Sequence, residues 1–162
     1  MNKIFVSGCL TGKRIRYDGT DAGIPNGIFS QWEREGRIVS GCPELLAGFG
    51  IPRPEAEIRY GDGDAVLDGR ARVIEWDGRD VTDLFVLGAH RALELARKEG
   101  CRFALLKEGS PSCATSFLGE AGFTGRLEPG YGVLSALLKR FGITCFSENE
   151  LSELVAVICN EG

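Results

Sequence analysis

Six cysteines and a single histidine are the residues of this 162-residue chain that limit its chemistry most. Six cysteines are far fewer than a disulfide-stapled domain of this length would carry, and a domain of this size folds without disulfide bonds. Because His90 is the only imidazole, zinc sites that need two or three histidines are excluded. A metal site in this chain would therefore be built mostly from thiolates, which favour iron–sulfur clusters or zinc over hard cations.

Three of the cysteines follow β-prone runs. The string V-S-G-C occurs twice, ending at Cys9 and at Cys42, and Cys113 follows a third run across the string E-G-S-P-S. Loops beyond the carboxyl ends of parallel strands share one crevice, so these three thiols could converge there and hold an iron–sulfur cluster with one iron open to a substrate. The spacing also allows three buried packing residues, because the chain contains no C-x-x-C pair.

The other three cysteines have apolar neighbours and are expected to pack in the core. Cys101 lies at the start of a predicted strand, Cys145 lies within another, and Cys159 lies on an apolar face of the last predicted helix. Nothing polar converges on any of the three in the sequence, so the pattern gives them no chemical role.

Predicted strands and helices alternate along the chain. We expect strands at residues 4–6, 37–39, 102–107 and 143–146, and helices over residues 28–36, 80–100, 130–141 and 148–159. The middle of the chain, residues 53–77, is rich in Pro, Gly and Asp and holds two β-prone pieces, which predicts a turn-rich excursion such as a hairpin. The alternation predicts an α/β fold with a mainly parallel sheet and helices packed on its faces, in one domain over residues 1–162.

Several short strings follow one another in the order typical of a known family. They are C-L-x-G at 9–12, R-Y-D-G at 16–19, C-P-E at 42–44, P-R-P-x-A-E-I at 52–58, D-V-T at 80–82 and L-K-E-x-S-P-S-C at 106–113. Together they resemble the thiouracil desulfidase family, over residues 4 to 145. The resemblance implies a 4Fe-4S enzyme of sulfur metabolism that converts thiouracil to uracil and sulfide, a hydrolysis of a C–S bond without net redox change.

The same resemblance implies roles for individual residues. The residues implied to bind the cluster are Cys9, Cys42 and Cys113. The acid/base role falls on Glu44 and a further catalytic role on Ser110, while the residues implied to contact the substrate are Tyr17, Asp18 and Ser112. Glu44 could instead cap a helix that begins beside it, and Arg53 and Glu57 are interpreted as part of a structural ion pair or turn.

Net charge and hydropathy indicate which class of ligand the protein binds and in which cellular compartment it is found. A net charge of -4 and a pI near 5.1 argue against a protein that binds a phosphate backbone, so the expected partner is a small thiolated base or nucleotide rather than a nucleic acid. No apolar stretch is long enough to cross a membrane and no signal-peptide core is present, so we expect a cytoplasmic protein. Two other functions stay open: a non-catalytic module that binds zinc or an iron–sulfur cluster through thiolates, and a metal-free cysteine redox protein.

Overall fold

A four-stranded parallel sheet lies at the centre of the computed structural model, which describes residues 2–11, 27–118 and 128–160. Its strands, in spatial order, are β2 (Ile38–Gly41), β1 (Ile4–Ser7), β5 (Phe103–Leu106) and β8 (Thr144–Ser147). Strands β1 and β5 are buried along their whole length, as expected for short apolar runs covered on both faces. All neighbouring pairs are parallel, so the four carboxyl ends lie at one edge of the sheet.

Helices cover both faces of this sheet. The helices of the described residues are α1 (Gly27–Arg34), α2 (Pro43–Leu46), α3 (Gly63–Leu67), α4 (Thr82–Lys98), α5 (Val133–Arg140) and α6 (Leu151–Asn160). Phe5 of β1 packs with α4 and α5 on one face, whereas its neighbours Ile4 and Val6 pack with α1 and α6 on the other. The period of two along the strand therefore divides the core into two apolar layers, and the predicted α/β class with helices on both faces is confirmed.

The middle of the chain forms the predicted excursion. Strands β3 (Ala56–Arg59) and β4 (Arg72–Glu75) pair in antiparallel register. The connection between them contains α3, which the sequence analysis did not predict: the Asp62 carboxylate accepts a hydrogen bond from the Ala65 N–H at 3.2 Å and begins a helix where D-G suggested a turn. A second small antiparallel pair joins β6 (Phe117–Leu118) to β7 (Glu128–Pro129).

Two short 3₁₀ helices, Gly8–Thr11 and Glu148–Glu150, directly follow β1 and β8 at the carboxyl edge of the sheet. None of the helices within residues 2–11, 27–118 and 128–160 is long and apolar enough to cross a membrane.

Candidate functional site

A cleft opens at the carboxyl edge of the parallel sheet. Residues 7–9, 41–44, 53–56 and 107–113, apart from Gly109, line it, and its empty space is about 680 Å³ with the open mouth included. The chain runs from β1 to β2 on one side and from β5 to β8 on the other, so the cleft lies at the point where the strand order reverses. Open α/β sheets bind their ligands at this point.

The structure brings the three cysteines of the strand-end loops together at this cleft. Cys9 stands in the 3₁₀ helix after β1, and Cys42 stands directly after β2 with φ of -123° and ψ of 114°. The extended backbone of Cys42 is the one that the following Pro43 imposes. Cys113 lies in the loop after β5 and is 5% exposed. All three line the cleft, and none of the chain's six cysteines, each of which is within the described residues, forms a disulfide.

Burial in the cleft disfavours the thiolate form of Cys42 and of Cys113. Burial raises the pKa of the Cys113 thiol well above its usual value, and a hydrogen bond with the Ser7 hydroxyl partly offsets this. The charges of Cys9, Cys42 and Glu44 raise it further. Burial, and after it the Glu44 carboxylate, also raises the pKa of Cys42. Cys42 and Cys113 would therefore ionise more readily with a positively charged metal centre bound beside them, and thiolates are the ligands that soft metals prefer.

The chemistry of the donor set, three cysteine thiols, fits an iron–sulfur cluster. Within the described ranges, no group of three or more His, Cys, Asp or Glu side chains is arranged closely enough to hold one ion. Three thiols from separate loops, one of them close to the Glu44 carboxylate, line the cleft. Thiolate ligation of this kind is what iron–sulfur clusters use.

Glu44 lies at the first turn of α2 and is ion-paired inside the cleft. The Arg53 guanidinium donates from Nε and Nη2 to Oε2 of Glu44, at 3.1 and 2.5 Å, and from Nη1 to the Gly50 carbonyl at 3.3 Å. The side chains of Arg53 and Glu44 are 6% and 18% exposed. Both donors that reach the carboxylate bind Oε2, so Oε1 of Glu44 takes no part in the ion pair with Arg53. Arg53 is thus part of the site, a role that the sequence analysis missed although P-R-P stood among the quoted strings.

Ser110 shapes the loop that carries Cys113. Its Oγ accepts hydrogen bonds from the N–H groups of Ser112 and Cys113, at 3.0 and 3.3 Å. Because two amides occupy the lone pairs of this hydroxyl, its proton is left to donate elsewhere, and Ser110 lines the cleft. Ser112 also lines the cleft but is 4% exposed.

The same loop packs tightly against the beginning of α5. The carbonyls of Pro111 and Ser112 accept hydrogen bonds from the N–H groups of Val133 and Leu134, both at 2.8 Å. Gly132 makes this approach possible, because a Cβ at this position would lie 2.4 Å from the Ser112 carbonyl. The loop therefore has a defined conformation built from its own sequence and from the helix that follows.

The remaining predicted residues fall elsewhere. Tyr17 and Asp18 lie outside the described residues. Cys101 and Cys145 are away from the cleft, and burial raises the pKa of their thiols to about 11 and about 12. The expectation that Cys159 packs in the core is wrong: it is exposed, because the inner face of α6 is formed by Leu154 and Ile158, and the next residue points outward.

Comparisons with known proteins identify the family of the chain. The family model described as 2-thiouracil desulfurase matches residues 4–150. The uncharacterized protein YbbK of Bacillus subtilis strain 168 is 41% identical over 152 residues, which covers 94% of this chain and 99% of that protein. The solved structure of the 4Fe-4S-dependent thiouracil desulfidase TudS matches with a TM-score of 0.88 and 42% identity, over 98% of this chain and 99% of that one. The resemblance carried by the sequence motifs is confirmed, and the chain belongs to the 2-thiouracil desulfurase family.

Proposed function

We propose that this protein is a 4Fe-4S-dependent desulfidase that converts a thiolated pyrimidine, such as thiouracil, to the corresponding oxo base and sulfide. The observation that carries the proposal is the meeting of Cys9, Cys42 and Cys113 in one cleft beside the Glu44 carboxylate. Membership of the 2-thiouracil desulfurase family and the likeness to TudS support it.

Cys9, Cys42 and Cys113 would hold the cluster through their three sulfurs. When bound, such a cluster supplies an iron without a protein ligand, a Lewis acid that withdraws electrons from a thiocarbonyl group and takes up its sulfur. The reaction balances without a redox partner: a water oxygen forms a bond to the ring carbon, the carbon–sulfur bond breaks, and the sulfur leaves as sulfide. The protein's task is then to orient the base and the water and to move protons.

Glu44 is the proposed acid/base group. Arg53 holds its Oε2, which fixes the carboxylate plane and leaves Oε1 to accept a proton from the attacking water. The Ser110 hydroxyl, with its lone pairs engaged by two amides, donates its proton toward the substrate ring or the water. Tyr17, Asp18 and Ser112 are proposed to contact the substrate on the strength of the family motif.

The proposed substrate is a small thiolated base or nucleotide, and the proposed compartment is the cytoplasm. Six cysteines without a disulfide suit a reducing compartment. We further propose that residues 1–162 act as one domain, since the two apolar layers of the core share strand β1.

Anaerobic purification followed by an assay with thiouracil tests the proposal. We expect a brown protein with about four irons per chain that releases uracil and sulfide in equal amounts. Cys9→Ala, Cys42→Ala and Cys113→Ala should each abolish the visible absorbance, whereas the matched controls Cys101→Ala and Cys145→Ala should retain it. A protein that holds zinc, or a cluster without turnover of any thiolated pyrimidine, would instead identify a non-catalytic metal-binding module.

A further inference from the structure

Glu108 is a buried carboxylate at the cleft for which the proposed reaction has no use. It is 2% exposed and lies between the end of β5 and Cys113. Its Oε1 accepts hydrogen bonds from the N–H groups of Thr115 and Ser116, at 2.8 and 2.9 Å. Its Oε2 accepts hydrogen bonds from the hydroxyls of the same two residues, at 2.9 and 2.7 Å.

These four hydrogen bonds close residues 108–116 into a ring that contains the S-P-S-C string. The carboxylate fixes the backbone just after Cys113, while Ser110 fixes the backbone just before it through the amides of Ser112 and Cys113. Cys113 is therefore held from both sides by groups of the protein alone. A loop that is ordered in advance loses less conformational entropy when it binds a ligand.

Glu108 is itself anchored to the rest of the sheet edge. Its N–H lies 3.1 and 3.2 Å from the two carboxylate oxygens of Glu148, in the 3₁₀ helix after β8. Its carbonyl accepts a hydrogen bond from Lys107 Nζ at 3.0 Å, and the Lys107 N–H donates to Ser7 Oγ at 3.1 Å. The ring is thus fastened to both neighbours of β5, so its position relative to Cys9 is defined.

We propose that Glu108 is a positioning residue that holds the Cys113 loop in the conformation that binds the metal centre. The inference rests on the proposed function for the identity of that centre. The contribution of Glu108 to the order of the loop comes from hydrogen bonds within the protein, so it can be measured with or without metal.

Three variants separate this role from general stability. Glu108→Ala removes all four hydrogen bonds. Glu108→Gln keeps one oxygen for the two amides and presents an NH₂ group to hydroxyls that can rotate and accept it, so it should rescue the loop. Glu75→Ala is the matched control, because Glu75 is also 2% exposed but lies at the end of β4 and does not line the cleft.

The two readouts are the rate of iron release to a chelator without oxygen and the amide hydrogen exchange of residues 109–116, the latter with and without iron. We expect Glu108→Ala to accelerate both at least about tenfold, in line with the loss of hydrogen bonds to a charged acceptor. Glu108→Gln should stay within about threefold of the wild type in both. Glu75→Ala should match the wild type in iron release and in the exchange of 109–116.

Other outcomes decide against the inference. Wild-type rates of iron release and hydrogen exchange in Glu108→Ala would overturn it. So would rates in Glu75→Ala or in Glu108→Gln that are raised as much as those in Glu108→Ala. Should Glu108→Ala fail to fold, Ser116→Ala provides a milder test, because it removes one hydrogen bond to Glu108 from an exposed residue. Iron release and hydrogen exchange should then be faster than in the wild type by an intermediate factor. Unchanged rates would count against the inference. A wild-type protein that binds no iron would refute the proposed function, and exchange in the iron-free protein would still decide whether Glu108 orders the loop.

Discussion

Replacing Arg53 by methionine removes the partner of Glu44 while keeping an unbranched side chain in its place. The pair lies largely out of water, with Arg53 6% and Glu44 18% exposed. The variant takes away both hydrogen bonds to Oε2 of Glu44 and the one to the Gly50 carbonyl. A carboxylate is then left in the cleft without its neutralising cation.

The size of the effect follows from this burial. Removing one member of a buried ion pair lowers the free energy of unfolding by about 3–5 kcal/mol, and the residual exposure of Glu44 places Arg53→Met at the lower end of that range. In a protein of this length, 1 kcal/mol lowers Tm by about 2–4 °C. Arg53→Met should therefore melt roughly 6–12 °C below the wild type. Glu44→Gln keeps an acceptor for the guanidinium and should cost less, about 1–2 kcal/mol.

A double-mutant cycle measures the coupling directly. Denaturant unfolding of the wild type, Arg53→Met, Glu44→Gln and the double variant, all in the same metal state, gives the interaction free energy of the two side chains. We expect a coupling of at least about 1.5 kcal/mol, since residues in direct contact couple by 0.5–3 kcal/mol. Effects that add within about 0.5 kcal/mol would show that the pair is energetically independent, and would refute the reasoning from burial.

Three further predictions concern single residues. Glu44→Gln should keep the visible absorbance of the cluster but lower kcat for thiouracil at least about 100-fold; full activity would remove its acid/base role. Ser7→Ala removes a hydrogen bond to the Cys113 sulfur and should lower the reduction potential of the cluster in a spectroscopic redox titration, and an unchanged potential would contradict this. Burial raises the pKa of Glu75, so its contribution to stability is present at low pH and is lost as the pH rises from 4.5 through the folded-state pKa. The Tm of Glu75→Gln should accordingly rise relative to that of the wild type between pH 4.5 and 7. A Tm difference that does not change with pH would show that the pKa of this carboxyl is the same in the folded and unfolded states.

The sequence predicts the sheet and its three cysteine loops because both depend on local signals. Short apolar runs bounded by glycine identify β1, β2 and β5, and parallel pairing then places the residues after them at one edge. Helix α3 has no such signal. It spans only Gly63–Leu67 and begins within the string Y-G-D-G-D, which is typical of turns, and the Asp62 cap that makes it a helix is visible only once the backbone is folded.

The site residues that the sequence does not reveal act through contacts between separate segments. Arg53 reaches Glu44 from the loop that follows α2, and nothing in the spacing of the two residues distinguishes this partner from Glu57. Glu108 acts through Thr115 and Ser116, common loop residues whose sequence pattern gives no sign of a ring around Cys113. Such partners are set by how the loops close over the sheet edge, which periodicity and composition do not describe.

The order of the strands also bears on which metal the cleft can hold. Neighbouring strands lie about 4.8 Å apart, and β1 separates β2 from β5, so the loops of Cys42 and Cys113 start about two strand spacings from one another. Zinc–sulfur bonds of about 2.3 Å would require the three sulfurs to approach within about 4 Å. The Cys113 loop is held by its hydrogen bonds to Glu108 and to the start of α5, and these oppose a movement of Cys113 toward a single ion. We therefore expect insertion of a cluster into the iron-free protein to slow hydrogen exchange at residues 109–116, and zinc to slow it less. Equal slowing by zinc would show that the loop presents its sulfur to a single ion without moving.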